Sequence, residues 1–516
     1  MAKDINDLIA EKNRRLESAR NDTPEAKAKQ EKRGKKTARD RITMLLDTDS
    51  FAETDVLVSH RKDYPESENY VPAEAVVTGY GTIEGRLVFI FSQDFASMGG
   101  SLSEMHGRKI AKIMDMAARA GAPVIGINDS GGARIQEGVD ALSGYGQVFY
   151  RNTIYSGVIP QISLVLGPSA GGAVYSPALT DFIFMVDGIS NMFITGPNVI
   201  KSVTGEIVDK ESLGGSKVHS SKSGVCHKRF PTEEECMESV RHLIRFLPQN
   251  YSELPPRIVG GDDPNRASMA LREIVPIDPN KPYDVRNVIR EISDEGEFFE
   301  IQPEFARNLV IGFMRVDGYP VGVVANQPNY LAGCLDINCS DKGSRFIRTC
   351  DAYNIPLLNI VDVPGFLPGV AQEHNGIIRH GAKLLYAFAE ATTPKITVIL
   401  RKAYGGAYLA MCSRDMGADH VFAWPQAHIA VMGAEGAVKL LYSDEIKKAE
   451  NMDEFIAKKA AEYNENYGNP YIAAERGYVD AVINPEETRP RIAYALHMLK
   501  NKSEHRPKRK HGNIPV

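Results

Sequence analysis

Two glycine pairs stand where an apolar, strand-like run gives way to a helical one, and their backbone N–H groups are the chain's leading candidates for chemistry. In the first, Leu164-Val165-Leu166 runs into Gly167-Pro168-Ser169-Ala170-Gly171-Gly172-Ala173. In the second, Val398-Ile399-Leu400 runs through Arg401-Lys402 into Ala403-Tyr404-Gly405-Gly406-Ala407. Glycine lets the backbone adopt positive φ and lets a ligand approach with no Cβ in the way. Successive N–H groups opening the next helix then form a nest aimed at negative charge. Two such donors make an oxyanion hole, and losing one typically costs about 2.7–4 kcal/mol of transition-state stabilisation. A plain packing turn is the alternative, and it gives no reason for the pair to occur twice at one place in a repeat.

Other local patterns compete. Gly167-Pro168-Ser169-Ala170-Gly171 fits the G-x-S-x-G elbow of a serine hydrolase, also a strand-to-helix turn. The second copy has Ala403 where the first has Ser169, yet keeps the glycines, so backbone geometry rather than a hydroxyl is what both share. Asp362-Val363-Pro364-Gly365 has the D-x-x-G of a nucleotide switch, but the chain holds no phosphate loop; Gly34-Lys35-Lys36-Thr37 is the nearest string. His374 and His380 have no Cys or carboxylate at ligand spacing and read as helix-surface residues.

The elements that must position these residues come from a tandem duplication. Ala122-Pro123-Val124-Ile125-Gly126-Ile127-Asn128-Asp129 returns as Ile355-Pro356-Leu357-Leu358-Asn359-Ile360-Val361-Asp362, an offset of 233. Gly85 and Gly318, each in a hairpin-like turn, share that offset, and Gly171-Gly172-Ala173 falls on Gly405-Gly406-Ala407 at 234. Val124 to Ile127 and Leu357 to Val361 read as buried strands. Met105 to Arg119 and Ile377 to Ala391 have apolar residues at helical spacing. Alternation of this kind predicts an α/β fold in two copies, 1–256 and 265–516, joined through the breaker-rich stretch from Leu254-Pro255-Pro256 to Pro264.

Composition agrees. A chain of 516 residues, 43% hydrophobic and 25% charged, exceeds one ordinary core. A net charge of −5 argues against nucleic acid as a partner. Absence of a long apolar run predicts no membrane span, and the mixed charges of Met1 to Asp22 do not read as a targeting peptide. The six cysteines lack C-x-x-C spacing and read as reduced thiols in the cytoplasm. The basic tail from Lys500 to Lys510 reads as a solvated terminus.

At these residues the chain resembles the carboxyltransferase subunits of biotin-dependent acyl-CoA carboxylases, methylmalonyl-CoA decarboxylases and transcarboxylases. The resemblance is carried by Gly34 to Arg41, Asp129-Ser130-Gly131-Gly132-Ala133-Arg134-Ile135-Gln136-Glu137-Gly138, Gly167 to Ala178, Asn326-Gln327-Pro328, Gly333 to Asp336, Val361 to Phe366, Arg401 to Gly406 and the ending Lys510 to Val516. It implies two crotonase-like domains, the first holding an acyl-CoA and the second receiving biotin. The site would lie between the first domain of one subunit and the second domain of its dimer partner, within a homohexamer built as a trimer of dimers. Gly171 and Gly172 would hold the thioester oxyanion, and Gly406 and Ala407 the ureido oxygen of biotin. Gly131, Gly132, Ala133 and Arg134 would border CoA, while Gly405, Tyr408 and Leu409 would line the acyl pocket.

Carboxyl transfer of this kind passes through an enolate of the acyl-CoA and an enolate-like anion of biotin, which is why two holes are wanted. The family mechanism lets decarboxylated biotin take the α-proton, so the resemblance implies no side-chain base and no metal at this step. The chain lacks a Met-Lys-Met biotinylation tripeptide and an ATP-binding glycine loop. A separate biotin carboxyl carrier protein is therefore expected, with a biotin carboxylase or a membrane decarboxylase subunit as further partners. In the latter case the cytoplasmic enzyme would sit at the membrane periphery. Leu409 stands where many propionyl-CoA carboxylases have Asp, which favours methylmalonyl-CoA as donor over propionyl-CoA carboxylation. A CoA-binding scaffold without turnover is the remaining alternative.

Overall fold

A computed structural model describes residues 4–20, 23–60, 71–258 and 260–516. Met1 to Lys3 and residues 21–22 of the mixed-charge N-terminal stretch lie outside the described residues. The chain divides into two compact units, Met1–Glu253 and Leu254–Val516, and the breaker-rich stretch opens the second.

In the first unit the strands are β1 (Ala52–Thr54), β2 (Val76–Ile83), β3 (Arg86–Gln93), β4 (Val124–Ser130), β5 (Gln161–Ala170), β6 (Phe182–Val186), β7 (Asn191–Phe193) and β8 (Lys228–Phe230). In the second they are β9 (Phe298–Ile301), β10 (Leu309–Val316), β11 (Tyr319–Asn326), β12 (Leu357–Val363), β13 (Lys395–Tyr404), β14 (His420–Ala423), β15 (His428–Ala430) and β16 (Ala481–Val482). Each sheet has eight strands, in the orders β1-β2-β3-β4-β5-β6-β8 and β16-β14-β13-β12-β11-β10-β9, with β7 on β5 and β15 on β13. The first three strands of each unit pair antiparallel and the rest parallel. The expected α/β duplication of two crotonase-like domains is therefore what the structure holds, down to strand order.

The two hairpins show why Gly85 and Gly318 recur. Glu84 and Gly85 have φ of 52° and 74°, and Asp317 and Gly318 have 53° and 75°. Two consecutive positive φ angles make a type I′ turn, whose twist matches that of the strands it joins. A carboxylate caps each: Asp47 accepts from the N–H groups of Glu84 (3.0 Å) and Gly85 (2.9 Å), and Asp294 from those of Asp317 (3.0 Å) and Gly318 (2.7 Å).

The helix Glu104–Ala120 starts at Ser103, whose hydroxyl accepts from the His106 N–H, and stops at left-handed Gly121. Its counterpart Ile337–Ala352 starts at Asp336, which accepts from the Cys339 N–H. Each buries one lysine, again 233 residues apart. Lys109 Nζ donates to the carbonyls of Ala73 (2.7 Å) and Val76 (2.6 Å). Lys342 Nζ donates to those of Gln302 (2.9 Å), Phe305 (2.7 Å) and Leu309 (2.7 Å). Burial pushes these ammonium groups down to about 8 and about 7. Apolar residues of β4 and β12, including Ile125, Ile127, Leu358 and Val361, are fully buried, as expected for strands covered on both faces.

Candidate functional site

Both glycine pairs are delivered by a strand that changes partners midway. In β5, Ile162 to Val165 pair with β6, whereas Pro168 to Ala170 pair with β7. In β13, Ile396 to Ile399 pair with β14, and Lys402 to Tyr404 with β15. Between these halves each strand bulges. Against β4 the pairing passes from Asn128–Val165 to Ser130–Ser169, and against β12 from Val361–Ile399 to Val363–Ala403. Four residues advance against two, so two extra residues kink the strand and re-aim its end. Gly171 and Gly405 follow directly, with φ of 60° and 57°, a conformation that favours glycine. A short 3₁₀ turn, Gly171–Val174, and a short helix, Gly405–Ala410, then begin. The opening N–H groups of such turns have no acceptor within the turn.

Beneath each bulge lies a buried aspartate. Asp129 accepts from Lys35 Nζ (2.8 and 2.7 Å) and from Arg41 Nη1 (2.9 Å). Arg41 also donates to Glu233 (2.7 and 2.9 Å) and to the Leu166 carbonyl (2.6 Å). Asp362 accepts from Arg401 Nε (3.0 Å), Tyr283 OH (3.0 Å) and the Lys402 N–H (3.1 Å). Arg401 is anchored further on the carbonyls of Asp278 (2.8 Å) and Lys281 (2.9 Å). Burial pushes both aspartates above the usual carboxylate range, and the adjoining cations oppose that shift. The D-x-x-G string is therefore part of this scaffold, and Gly34 to Arg41 serve as its first-unit brace. Within that brace, Thr37 and Asp40 close a capping box on the helix Ala38–Leu45.

A left-handed loop precedes each of these segments, and only its second-unit end, Gly333, was singled out in the sequence. Met98, Gly99 and Gly100 have φ of 46°, 64° and 63°, and Leu331, Ala332 and Gly333 have 49°, 53° and 79°. Leu102 donates to the Gly132 carbonyl and its own carbonyl accepts from Arg134 N–H, both at 2.9 Å. Leu335 pairs likewise with Gly365 (3.0 Å) and Leu367 (2.7 Å). The signal that could have found these loops is the offset of 233 between Gly100 and Gly333 and between Leu102 and Leu335.

The expected CoA loop is braced inward. Gly131 N–H donates to the Gly99 carbonyl (2.9 Å) and Gly132 N–H to Ser130 Oγ (3.1 Å), while Ala133 bridges Leu102. Arg134 is 1% exposed and its Nη1 donates to Glu74 (2.8 Å) and Glu137 (3.0 Å). Its guanidinium is thus held inside the protein by two carboxylates.

In the second unit, Gly405, Gly406, Tyr408, Leu409, Tyr442 and Tyr463 border a cavity of about 860 Å³. A Cβ built on Gly406 meets nothing within 4 Å, so the approach to this turn is open. Burial pushes the Tyr408 hydroxyl up to about 12, so it stays a neutral donor. Ile194 in the first unit and Val431 in the second, whose carbonyls lie beside Gly171 and Gly405, are 62% and 79% exposed.

Ser169 is fully buried and its Oγ has no hydrogen-bond partner, so no general base activates it. His380 Nδ1 lies 2.6 Å from Asp341 on a helix, and the six cysteines are thiols rather than disulfides. Among the described residues, no helix is long and apolar enough to cross a membrane.

The same architecture occurs in proteins of known activity. Residues 29–514 match the carboxyl transferase domain family. The chain is 57% identical over 489 residues to the methylmalonyl-CoA decarboxylase subunit alpha of Veillonella parvula, covering 95% of this chain and 94% of that protein. It is 56% identical to the propionyl-CoA carboxylase carboxyltransferase subunit of Haloferax mediterranei, covering 95% of each. The crystal structure of transcarboxylase 12S, a hexamer solved with methylmalonyl-coenzyme A and methylmalonic acid bound, superposes with a TM-score of 0.97 at 50% identity, covering 100% of this chain and 99% of that one.

Proposed function

Since the chain belongs to the carboxyl transferase domain family and is a carboxyltransferase, we propose that it moves a carboxyl group between methylmalonyl-CoA and carrier-bound biotin. The observation that carries this reading is the pair of like-built turns. Gly171 and Gly405 share one backbone conformation at one place in two equivalent sheets, which provides one donor set for each of two partners whose oxygen gains charge. Gly171 and Gly172 hold the thioester oxygen of the acyl-CoA, and Gly406 and Ala407 the ureido oxygen of biotin.

The second turn fits such a group. The space over Gly406 is open, and the cavity beside it offers aromatic walls and the Tyr408 hydroxyl to a cis-fused bicyclic ring with a planar ureido group. When bound there, biotin supplies the nitrogen that gives or takes the carboxyl group. The chain's own part is placement: fixed N–H donors meet the charge where it develops and need no reorganisation. Tyr408 remains protonated across the working pH range and orients by hydrogen bonding. Gly131 to Arg134 shape the acyl-CoA side through their braced backbone.

Leu409, standing where many propionyl-CoA carboxylases have Asp, supports methylmalonyl-CoA as donor. Carboxylation of propionyl-CoA is the same reaction reversed and is the second reading, given the 56% identity to a propionyl-CoA carboxylase subunit. The exposed apolar residues beside each turn suit burial in a homo-oligomer, a hexamer assembled as a trimer of dimers. The carrier protein and the subunit that loads it are separate chains. The test is steady-state turnover of methylmalonyl-CoA with and without free biotin, with malonyl-CoA in parallel. Biotin-dependent formation of propionyl-CoA supports the reading; carboxyl loss unaffected by biotin sinks it.

A further inference from the structure

The two buried aspartates differ in how they are held, and the difference follows from two residues of the bulge. In the second unit the bulge is self-sufficient: Arg401 reaches Asp362 at 3.0 Å, and the next residue, Lys402, gives the same carboxylate its N–H at 3.1 Å. At an offset of 234 the first unit has Gly167 and Pro168 in these places. Gly167 brings no guanidinium, and Pro168 has no N–H to give. The space an Arg side chain would need there is already taken, since a Cβ on Gly167 would lie 1.9 Å from Asp129 Oδ1. Arg41, on the helix Ala38–Leu45, fills the deficit, placing Nη1 2.9 Å from Asp129 and Nη2 2.6 Å from the Leu166 carbonyl of the bulge itself. Lys35 supplies the second donor that Lys402 N–H and Tyr283 OH supply in the other unit.

The geometry points to Asp129 and Asp362 as positioning residues, one for each oxyanion turn, with Arg41 acting in the first unit as the counterpart of Arg401. Both carboxylates are buried, so they act through the bulge, three to five residues before Gly171 and Gly405, and touch no ligand. The assignment of ligands to the two turns rests on the carboxyltransferase reading; the clamp itself does not. A kinked strand end held by one carboxylate has a defined position, and a displacement of about 1 Å at a reacting centre costs about 10²-fold in rate.

The test compares Asp362→Asn and Tyr283→Phe with Arg41→Lys, each in the full-length chain, by hydrogen exchange and by kinetics. Asp362→Asn and Tyr283→Phe are expected to speed amide exchange over residues 402–411 by about tenfold, leaving 167–178 as in the unaltered protein. Arg41→Lys, which keeps the charge but cannot span Asp129, Glu233 and Leu166 at once, is expected to do the reverse. In turnover, the second-unit changes lower kcat and raise the KM for free biotin, with the KM for methylmalonyl-CoA within about twofold; Arg41→Lys shows the opposite split. Exchange that rises equally at both turns, or at neither, in a folded variant overturns the clamp whatever the activity. Selective exchange in a chain that never shows biotin-dependent turnover leaves the clamp standing and overturns the ligand assignment. Where Asp362→Asn does not fold, Tyr283→Phe, which removes a single hydrogen bond, decides between these outcomes.

Discussion

Replacing Gly406 by Ala isolates the open oxyanion turn from the stability of the fold. Gly406 has no positive φ, and the added Cβ meets nothing within 4 Å, so the substitution costs no strain and no clash. In a helix opening, Ala is if anything about 0.5–1 kcal/mol better than Gly. The methyl group instead enters the space from which a ligand oxygen would reach the N–H donors. Loss of that contact is worth about 2.7–4 kcal/mol, a fall in kcat of about 10²–10³. Gly405→Ala is the contrast: φ is 57° and the Cβ would lie 2.9 Å from the Val431 carbonyl, so stability falls along with activity. The assay pairs thermal denaturation with biotin-dependent decarboxylation of methylmalonyl-CoA. A Gly406→Ala protein with unchanged melting and kcat within about threefold of the unaltered chain would refute the oxyanion assignment.

Three further outcomes are expected. Ser169→Ala removes a buried hydroxyl with no partner, so turnover stays within about twofold and a serine-directed covalent probe labels neither protein. Lys342→Met leaves the carbonyls of Gln302, Phe305 and Leu309 without their donor; at about 1–3 kcal/mol for each orphaned group, urea denaturation should show a loss of at least about 3 kcal/mol. Burial alone would raise the Asp47 carboxyl, but the N–H groups of Gly85 and Glu84, the Thr82 hydroxyl and Arg241 outweigh it and hold it well below the usual range. Its contribution to stability is then present above the ordinary carboxylate pKa of about 3.9 and is lost as pH falls through and below it. The melting-temperature deficit of Asp47→Asn should therefore shrink from pH 7 to pH 3, and a constant deficit would contradict the capping role.

The sequence exposed what repeats and what is locally determined. Strands β4 and β12 were legible as continuous apolar runs, and Gly85 and Gly318 as turn residues, because burial and positive φ act on residue type directly. The glycine pairs were legible for the same reason. The bulges were not: Gly167 to Ala170 reads as a turn after the strand Leu164 to Leu166, and nothing local says that the strand resumes with two residues left over against Asn128 to Ser130. Once the bulge is seen, Asp362 changes from a stray D-x-x-G into the residue that holds it. The burial of Arg134 was not legible either, because its partner Glu74 lies 60 residues away. Arg41 reaches Asp129 across 88 residues and falls on Ile274 at the offset of 233, so comparing the copies could not reveal it. Asp47 and Asp294 cap equivalent turns without sharing the repeat offset, since any carboxylate arriving from the adjoining loop meets the same two N–H groups.

The central claim is that this chain transfers a carboxyl group from an acyl-CoA to biotin, and it is tested most directly by following the carboxyl carbon. Methylmalonyl-CoA labelled in its free carboxyl group would be incubated with the purified chain and a biotinylated carrier protein, and the label on the carrier counted. Label is expected on the carrier, matched by propionyl-CoA, and is expected to be lost in Gly406→Ala. Labelled carbon dioxide released without the carrier, or an unlabelled carrier after methylmalonyl-CoA has been consumed, would contradict it.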